Sequence, residues 1–188
     1  DEIVTVDGVD ADGCIRPDTT VEGLSGLKPA FSATGTVTAG TSSPLTDGAA
    51  ATLVCSAEYA REHNLTPLAV IKSMAINGCD PDVMGLGPIG ATRKALKRAG
   101  LEMGDIDIVE INEAFASQSM ACINDLGMDI SRVNLDGGAI ALGHPLGATG
   151  ARITGKAAAL LKREGKKYAL STQCIGGGQG ITTIMEAA

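Results

Sequence analysis

The sequence predicts an α/β layered domain, and two observations carry that prediction. From Leu68 onward, short apolar runs suited to strands alternate with longer runs whose apolar residues recur at helical spacing. Each helical run stops at a glycine (Gly100, Gly127 or Gly165), where a chain can turn left-handed and end a helix. The resulting order, β-α-β-α-β-α-β-β, implies mostly parallel pairing through crossover helices, finishing in an antiparallel edge strand.

Residues 1–45 read as turns and short extended pieces. Asp7, Gly8, Asp10, Asp12 and Gly13 form one polar turn cluster and Arg16-Pro17-Asp18 another. The acidic spacing is that of a calcium loop without its terminal Glu, so a solvated turn is expected. Ala49–Ser56 is a small-residue apolar run that fits a buried strand, and Ser56 suits the N-cap of a short helix holding Tyr59 and Ala60. Leu68–Ile76 alternates like a strand. Ile89, Thr92, Ala95, Leu96 and Ala99 define a helix over Ile89–Ala99. Then come a strand at Ile106–Ile111, a helix at Glu113–Leu126 and a short strand at Val133–Leu135. A helix at Gly147–Glu164 precedes two last strands, Tyr168–Thr172 and Ile181–Met185. The Gly147 helix carries small residues on nearly every face, which implies burial between two layers. Residues 1–66 do not fit the repeating unit and read as the end of another one, while residues 67–188 form a domain.

Composition narrows the function. The chain has 188 residues, 44% of them hydrophobic and 20% charged, which is enough to bury a core without staples. It holds 25 glycines and only 2% aromatic residues, so no platform for stacking bases is available. A net charge of -7 argues against binding a phosphate backbone. No run approaches a membrane span. Cys14, Cys55, Cys79, Cys122 and Cys174 are odd in number and scattered, so neither a disulfide framework nor a metal site is expected, and a reducing compartment is. The start at Asp1, without methionine or signal peptide, suggests a processed or truncated polypeptide.

Four segments could carry chemistry. Gly85-Leu86-Gly87-Pro88-Ile89-Gly90 matches the dinucleotide fingerprint in letters, but a turn precedes it where a strand is needed, and Pro88 suits a first helical turn. Asn112 stands where a strand gives way to a helix, as a cap or as an amide for a water or oxyanion. The glycine-rich loop from Asp136 ends in His144, held between Gly143 and Pro145; the other histidine, His63, reads as a surface residue. Cys174 follows a strand, where α/β sheets place their sites, and Gly176-Gly177-Gly178 leaves amides free to meet an anion. Together these supply a thiol, a general base and a hydrogen-bond donor.

Asn112-Glu113-Ala114-Phe115, the Gly137–Pro145 loop with Gly147-Ala148-Thr149-Gly150-Ala151-Arg152, and Cys174–Gly180 resemble the three carboxyl-terminal signatures of thiolases. Arg16–Thr20, Leu27–Phe31, Thr36–Gly40 and Asp47–Ala50 resemble the same family, so the likeness covers nearly the whole chain. Thr41-Ser42-Ser43 and Ser73-Met74 with Gly78-Cys79-Asp80-Pro81 lean toward the degradative 3-ketoacyl-CoA thiolases. The resemblance implies a layered αβαβα fold, of which this chain supplies one half and the end of the other. It implies that Cys174 is the acid/base thiol and that His144 activates a nucleophilic cysteine and helps line an oxyanion hole. Asn112 would hold a water in that hole, and the Gly176 amide would serve a second one. Ser43 would contact the pantetheine arm of CoA and Phe115 would line its pocket.

Two departures stand out: Asp136 where the family commonly has Asn, and Thr149 where it commonly has Ser. A larger one is that no segment resembles the acyl-accepting cysteine, which thiolases carry in the amino-terminal half. The implied activity is acyl transfer from 3-ketoacyl-CoA to CoA with release of acetyl-CoA, using no bound cofactor. The implied partners are CoA thioesters, the amino-terminal half, and further copies in a homodimer or homotetramer, in a bacterial cytoplasm or else a peroxisome or mitochondrial matrix. The alternatives are a biosynthetic acetoacetyl-CoA thiolase and a thiolase-like binder of acyl-CoA or lipid, the latter disfavoured because a binder needs no acid/base thiol. A β-ketoacyl synthase, which uses two histidines, fits less well.

Overall fold

Strands β1 (Ala69–Gly78), β2 (Ile108–Ile111), β3 (Tyr168–Ile175) and β4 (Gln179–Ala187) form one sheet in the order β1-β4-β3-β2. The computed structural model describes residues 4–188. β2 pairs with β3 in parallel, with Ile111 opposite Thr172, while β4 is antiparallel to both β3 and β1. β1, β2 and β3 therefore run the same way, and β4 lies between two of them instead of at the edge. The reason is local. A tight turn at Gly176–Gly178 folds β4 straight back along β3, and β1 then takes β4's free side.

Helices cover both faces. Helices α3 (Gly87–Ala99) and α4 (Ala116–Leu126) place Ala95, Leu96, Cys122 and Ile123 against Val109, Leu170 and Ile184. On the opposite face α6 (Thr149–Glu164) packs Ala157, Leu160 and Leu161 against Ile108, Ala169 and Met185. β2 is buried at all four positions, as a strand sandwiched between helices must be. The three glycine stops hold, since Gly100, Gly127 and Gly165 are all left-handed C-caps. Pro88 sits in the first turn of α3, preceded by the 3-10 segment Pro81–Leu86, so no strand leads into the Gly85–Gly90 fingerprint. Ahead of the sheet lie two short helices, α1 (Val21–Ser25) and α2 (Ala57–Glu62), the latter capped by Ser56 Oγ accepting from Tyr59 N. Asp7 and Gly8 form the tip of a two-residue turn between Val6 and Val9.

Three elements differ from expectation. Ala49–Ser56 forms no strand: Leu53 and Val54 stay exposed, and the run lies along α6, with Thr52 Oγ1 donating to Ala151 O. Val133–Leu135 shrinks to a single parallel bridge between Val109 and Val133. Asn134 is left-handed there; its backbone N donates to Val109 O, and its side chain meets Ile111 at the end of β2. The helix expected from Glu113 starts at Ala116, because Asn112 N still donates to Thr172 O and extends the β2–β3 ladder.

Candidate active site

Asn112 ends β2 and is fully buried. Its Nδ2 lies 3.3 Å from His144 Nε2, and its Oδ1 has no protein partner among the described residues. His144 arrives on the loop after α5 (Ala139–Leu142), through Gly143, whose φ of 94° suits glycine alone. The other ring nitrogen, Nδ1, lies 2.7 Å from Thr149 Oγ1 in the first turn of α6. Thr149 Oγ1 itself donates to Pro145 O at 3.0 Å, so towards His144 it can only accept. The ring proton therefore sits on Nδ1, and Nε2 keeps its lone pair for the amide of Asn112. Burial, aided by the Arg152 charge, lowers the His144 pKa below its ordinary value. A neutral imidazole with an unprotonated Nε2 can act as a base.

The extended run 42–46 stitches the site together. Ser43 N and Oγ both donate to Ala114 O, Ser42 bridges to Phe115, and Leu45 bridges to His144. Phe115 meets Phe31 edge-on, with ring centroids 6.1 Å apart. A cleft of about 460 Å³ opens beside His144, with Leu45, Thr46, Asp47 and Leu146 among its walls.

Cys174 lies within β3, opposite Gly180 and two residues beyond the Thr172 carbonyl that holds Asn112. It is half-buried, and that burial raises its thiol pKa, which keeps the proton on sulfur at rest. Gly176 follows in the exposed hairpin turn. The structure thus joins Asn112 and His144 directly, links Ser43 and Phe115 to them through Ala114, Ser42 and Leu45, and brings Cys174 and Gly176 to the adjacent strand end. No hydrogen bond links Cys174 to His144 among the described residues. His63 is a surface residue stacked on Tyr59.

Sequence reasoning missed Glu113 and Asn134. The Glu113 carboxylate accepts from Asn134 Nδ2 at 2.7 Å and from the Ile140 amide at 3.1 Å. It also missed Glu110, buried in β2 with its pKa pushed up to about 7, chiefly by desolvation. Asp136, paired with Lys156 and Arg163, adds to that rise, while Arg152 and Lys156 oppose it. The one signal in the sequence was an Asn, a residue type that tolerates a left-handed backbone, two residues ahead of the Asp-Gly-Gly turn.

The family described as "Thiolase, C-terminal domain" matches residues 65–187, and "Thiolase, N-terminal domain" matches residues 1–58. The 3-ketoacyl-CoA thiolase of Vibrio vulnificus is 59% identical over 182 residues, covering 95% of this chain and 47% of that protein. The one from Cronobacter sakazakii is 56% identical over 198 residues, covering 98% and 51%. Among solved structures, human mitochondrial 3-ketoacyl-CoA thiolase in complex with CoA is 46% identical with a TM-score of 0.88, over 96% of this chain and 46% of that one. Bacillus anthracis acetyl-CoA acetyltransferase is 45% identical with a TM-score of 0.92, over 95% and 45%. The chain spans about half the length of the curated relatives it matches. Its motifs, its fold and its family matches agree: the chain belongs to the thiolase family.

Proposed function

We propose that this chain, assembled with an amino-terminal thiolase half, is the carboxyl-terminal part of a 3-ketoacyl-CoA thiolase. In this reading residues 1–66 complete the loop region and the amino-terminal half, and residues 67–188 are the carboxyl-terminal domain. The observation that carries the proposal is the Asn112–His144 contact, with the imidazole held as a base beside an open cleft.

The chemistry follows from two thiols. His144 Nε2 takes the proton from a cysteine thiol of the other half, and that thiolate attacks the 3-keto carbon. Hydrogen bonds from His144 and from a water held by Asn112 stabilise the oxyanion. The carbon–carbon bond then breaks, and the departing acetyl-CoA carbanion takes a proton from Cys174 while its thioester oxygen rests on the Gly176 amide. The Cys174 thiolate then takes the proton of the free CoA thiol, the CoA sulfur attacks the acyl-enzyme carbonyl, and acyl-CoA leaves as the expelled cysteine thiolate takes back its proton from His144. Ser43 and Phe115 contact the CoA arm. CoA and acyl-CoA are substrates, no further cofactor is involved, and the working form is a homodimer or homotetramer in a bacterial cytoplasm. The high likeness to an acetyl-CoA acetyltransferase favours a second reading, the biosynthetic acetoacetyl-CoA thiolase, which differs in chain-length preference.

The Cys174→Ala form of the assembled enzyme tests the proposal. It should lose about 10²–10⁴-fold in acetyl-CoA α-proton exchange, as a missing acid/base group does, while still forming acyl-enzyme. A loss smaller than about threefold, well under what general acid–base catalysis supplies, would remove Cys174 from the proton transfer.

A further inference from the structure

Asn112 and His144 meet at 3.3 Å, the outer range of a hydrogen bond, although they stand on separate segments. One carboxylate ties those segments together. Glu113, directly after Asn112, offers one oxygen to Asn134 Nδ2 and the other to the Ile140 amide. Asn134 in turn grips the end of β2, its Oδ1 accepting from Ile111 N and its Nδ2 donating to Ile111 O. Ile140 lies in the short helical turn that delivers His144, whose N-cap residue, Gly138, has no side chain to offer. The Glu113 carboxylate caps that turn from outside it. The loop rests directly on the carboxylate: a Cβ at Gly138 would lie 2.1 Å from Glu113 Cδ.

We infer that Glu113 is a positioning residue, whose carboxylate sets the Asn112–His144 pair by holding Asn134 and the His144 loop at once. A carboxylate is needed because two donors converge on it. Glutamine presents one acceptor oxygen, so its NH₂ must face either the Asn134 amide or the Ile140 N–H. Displacements of about 1 Å in such a pair cost about 10²-fold in rate.

The activity arm of the test rests on the thiolase reading; a labelling arm does not. In the assembled enzyme, Glu113→Gln should lower kcat about 10²-fold while the KM for CoA stays within about twofold. The same substitution should cost nothing further in an Asn112→Ala background, because the pair it positions is already gone. Independently of any reaction, the rate at which diethyl pyrocarbonate modifies His144, read by peptide mass against His63 in the same sample, should rise several-fold in Glu113→Gln. Cys174 alkylation should stay unchanged. Gly138→Ala, which drives a methyl into the same carboxylate, should reproduce the labelling change if the first variant does not fold. An unchanged His144 labelling rate in whichever variant folds would overturn the proposal, whatever the enzyme assay gives. Additive losses with Asn112→Ala would overturn it as well.

Discussion

The proposed role of His144 as a base rests on what its two nitrogens meet. Thr149 Oγ1, committed as a donor to Pro145 O, fixes the proton on Nδ1, and Asn112 then finds a lone pair on Nε2. The change from the family's Ser to Thr keeps that hydroxyl. Thr149→Val should leave Nδ1–H without an acceptor inside a half-buried site and lower the turnover of the assembled enzyme by about 10–100-fold, the usual cost of an unpaired buried donor. Thr149→Ser should stay within about twofold of the parent, far less than that cost. Equal rates for the two variants would show that the hydroxyl plays no part. The pH profile has a definite sign. The pKa of His144 is lowered, chiefly by burial and then by Arg152, so the neutral imidazole persists to lower pH than in a free histidine. Alkylation of the nucleophilic cysteine should therefore hold its rate down to about pH 6.5, the ordinary histidine value, and fall only below it.

At the scale of elements, β2 and α6 share a buried charge problem. Glu110 points from β2 into the layer held by α6, where desolvation raises its pKa to about 7 against the opposing charges of Arg152 and Lys156. A carboxyl whose folded pKa is raised binds more protons folded than unfolded. Its stabilisation is thus fully present below the unfolded value of 4.5 and lost as pH rises through about 7. The loss is on the order of 3 kcal/mol at most. Denaturant midpoints of the assembled protein should accordingly fall between pH 5 and pH 8, and Glu110→Gln, which cannot ionise, should flatten that slope. A slope that survives in Glu110→Gln would assign it to other groups.

For the whole molecule, α6 covers only part of its side of the sheet. Register places Ile71, Met74 and Ile76 of β1 on the same face as Met185, Thr183 and Ile181, and they are 41%, 53% and 58% exposed. Contiguous apolar area of this kind favours association. The 188-residue chain alone should therefore sediment as aggregates or oligomers and show no CoA-dependent cleavage of acetoacetyl-CoA, and adding an amino-terminal thiolase half should restore some activity. A monodisperse monomer would contradict the first expectation; turnover by the pure chain would mean that the nucleophile is already present.

The sequence by itself determined most of the helices and strands and singled out Asn112, His144 and Cys174 as candidates for the chemistry. Helical spacing closed by Gly100, Gly127 and Gly165, and a cysteine, a histidine and an asparagine at element ends, are local signals, and local geometry obeys them. Tertiary structure alone decided the rest. The place of β4 inside the sheet depends on which strand edge remains free after the hairpin closes, which no local pattern encodes. The fate of Ala49–Ser56 depends on α6 and not on its own apolar run. Asn112, His144 and Thr149 lie up to 37 residues apart, and whether their atoms reach hydrogen-bonding distance is settled by a carboxylate, a glycine without a Cβ and a left-handed asparagine acting across three segments.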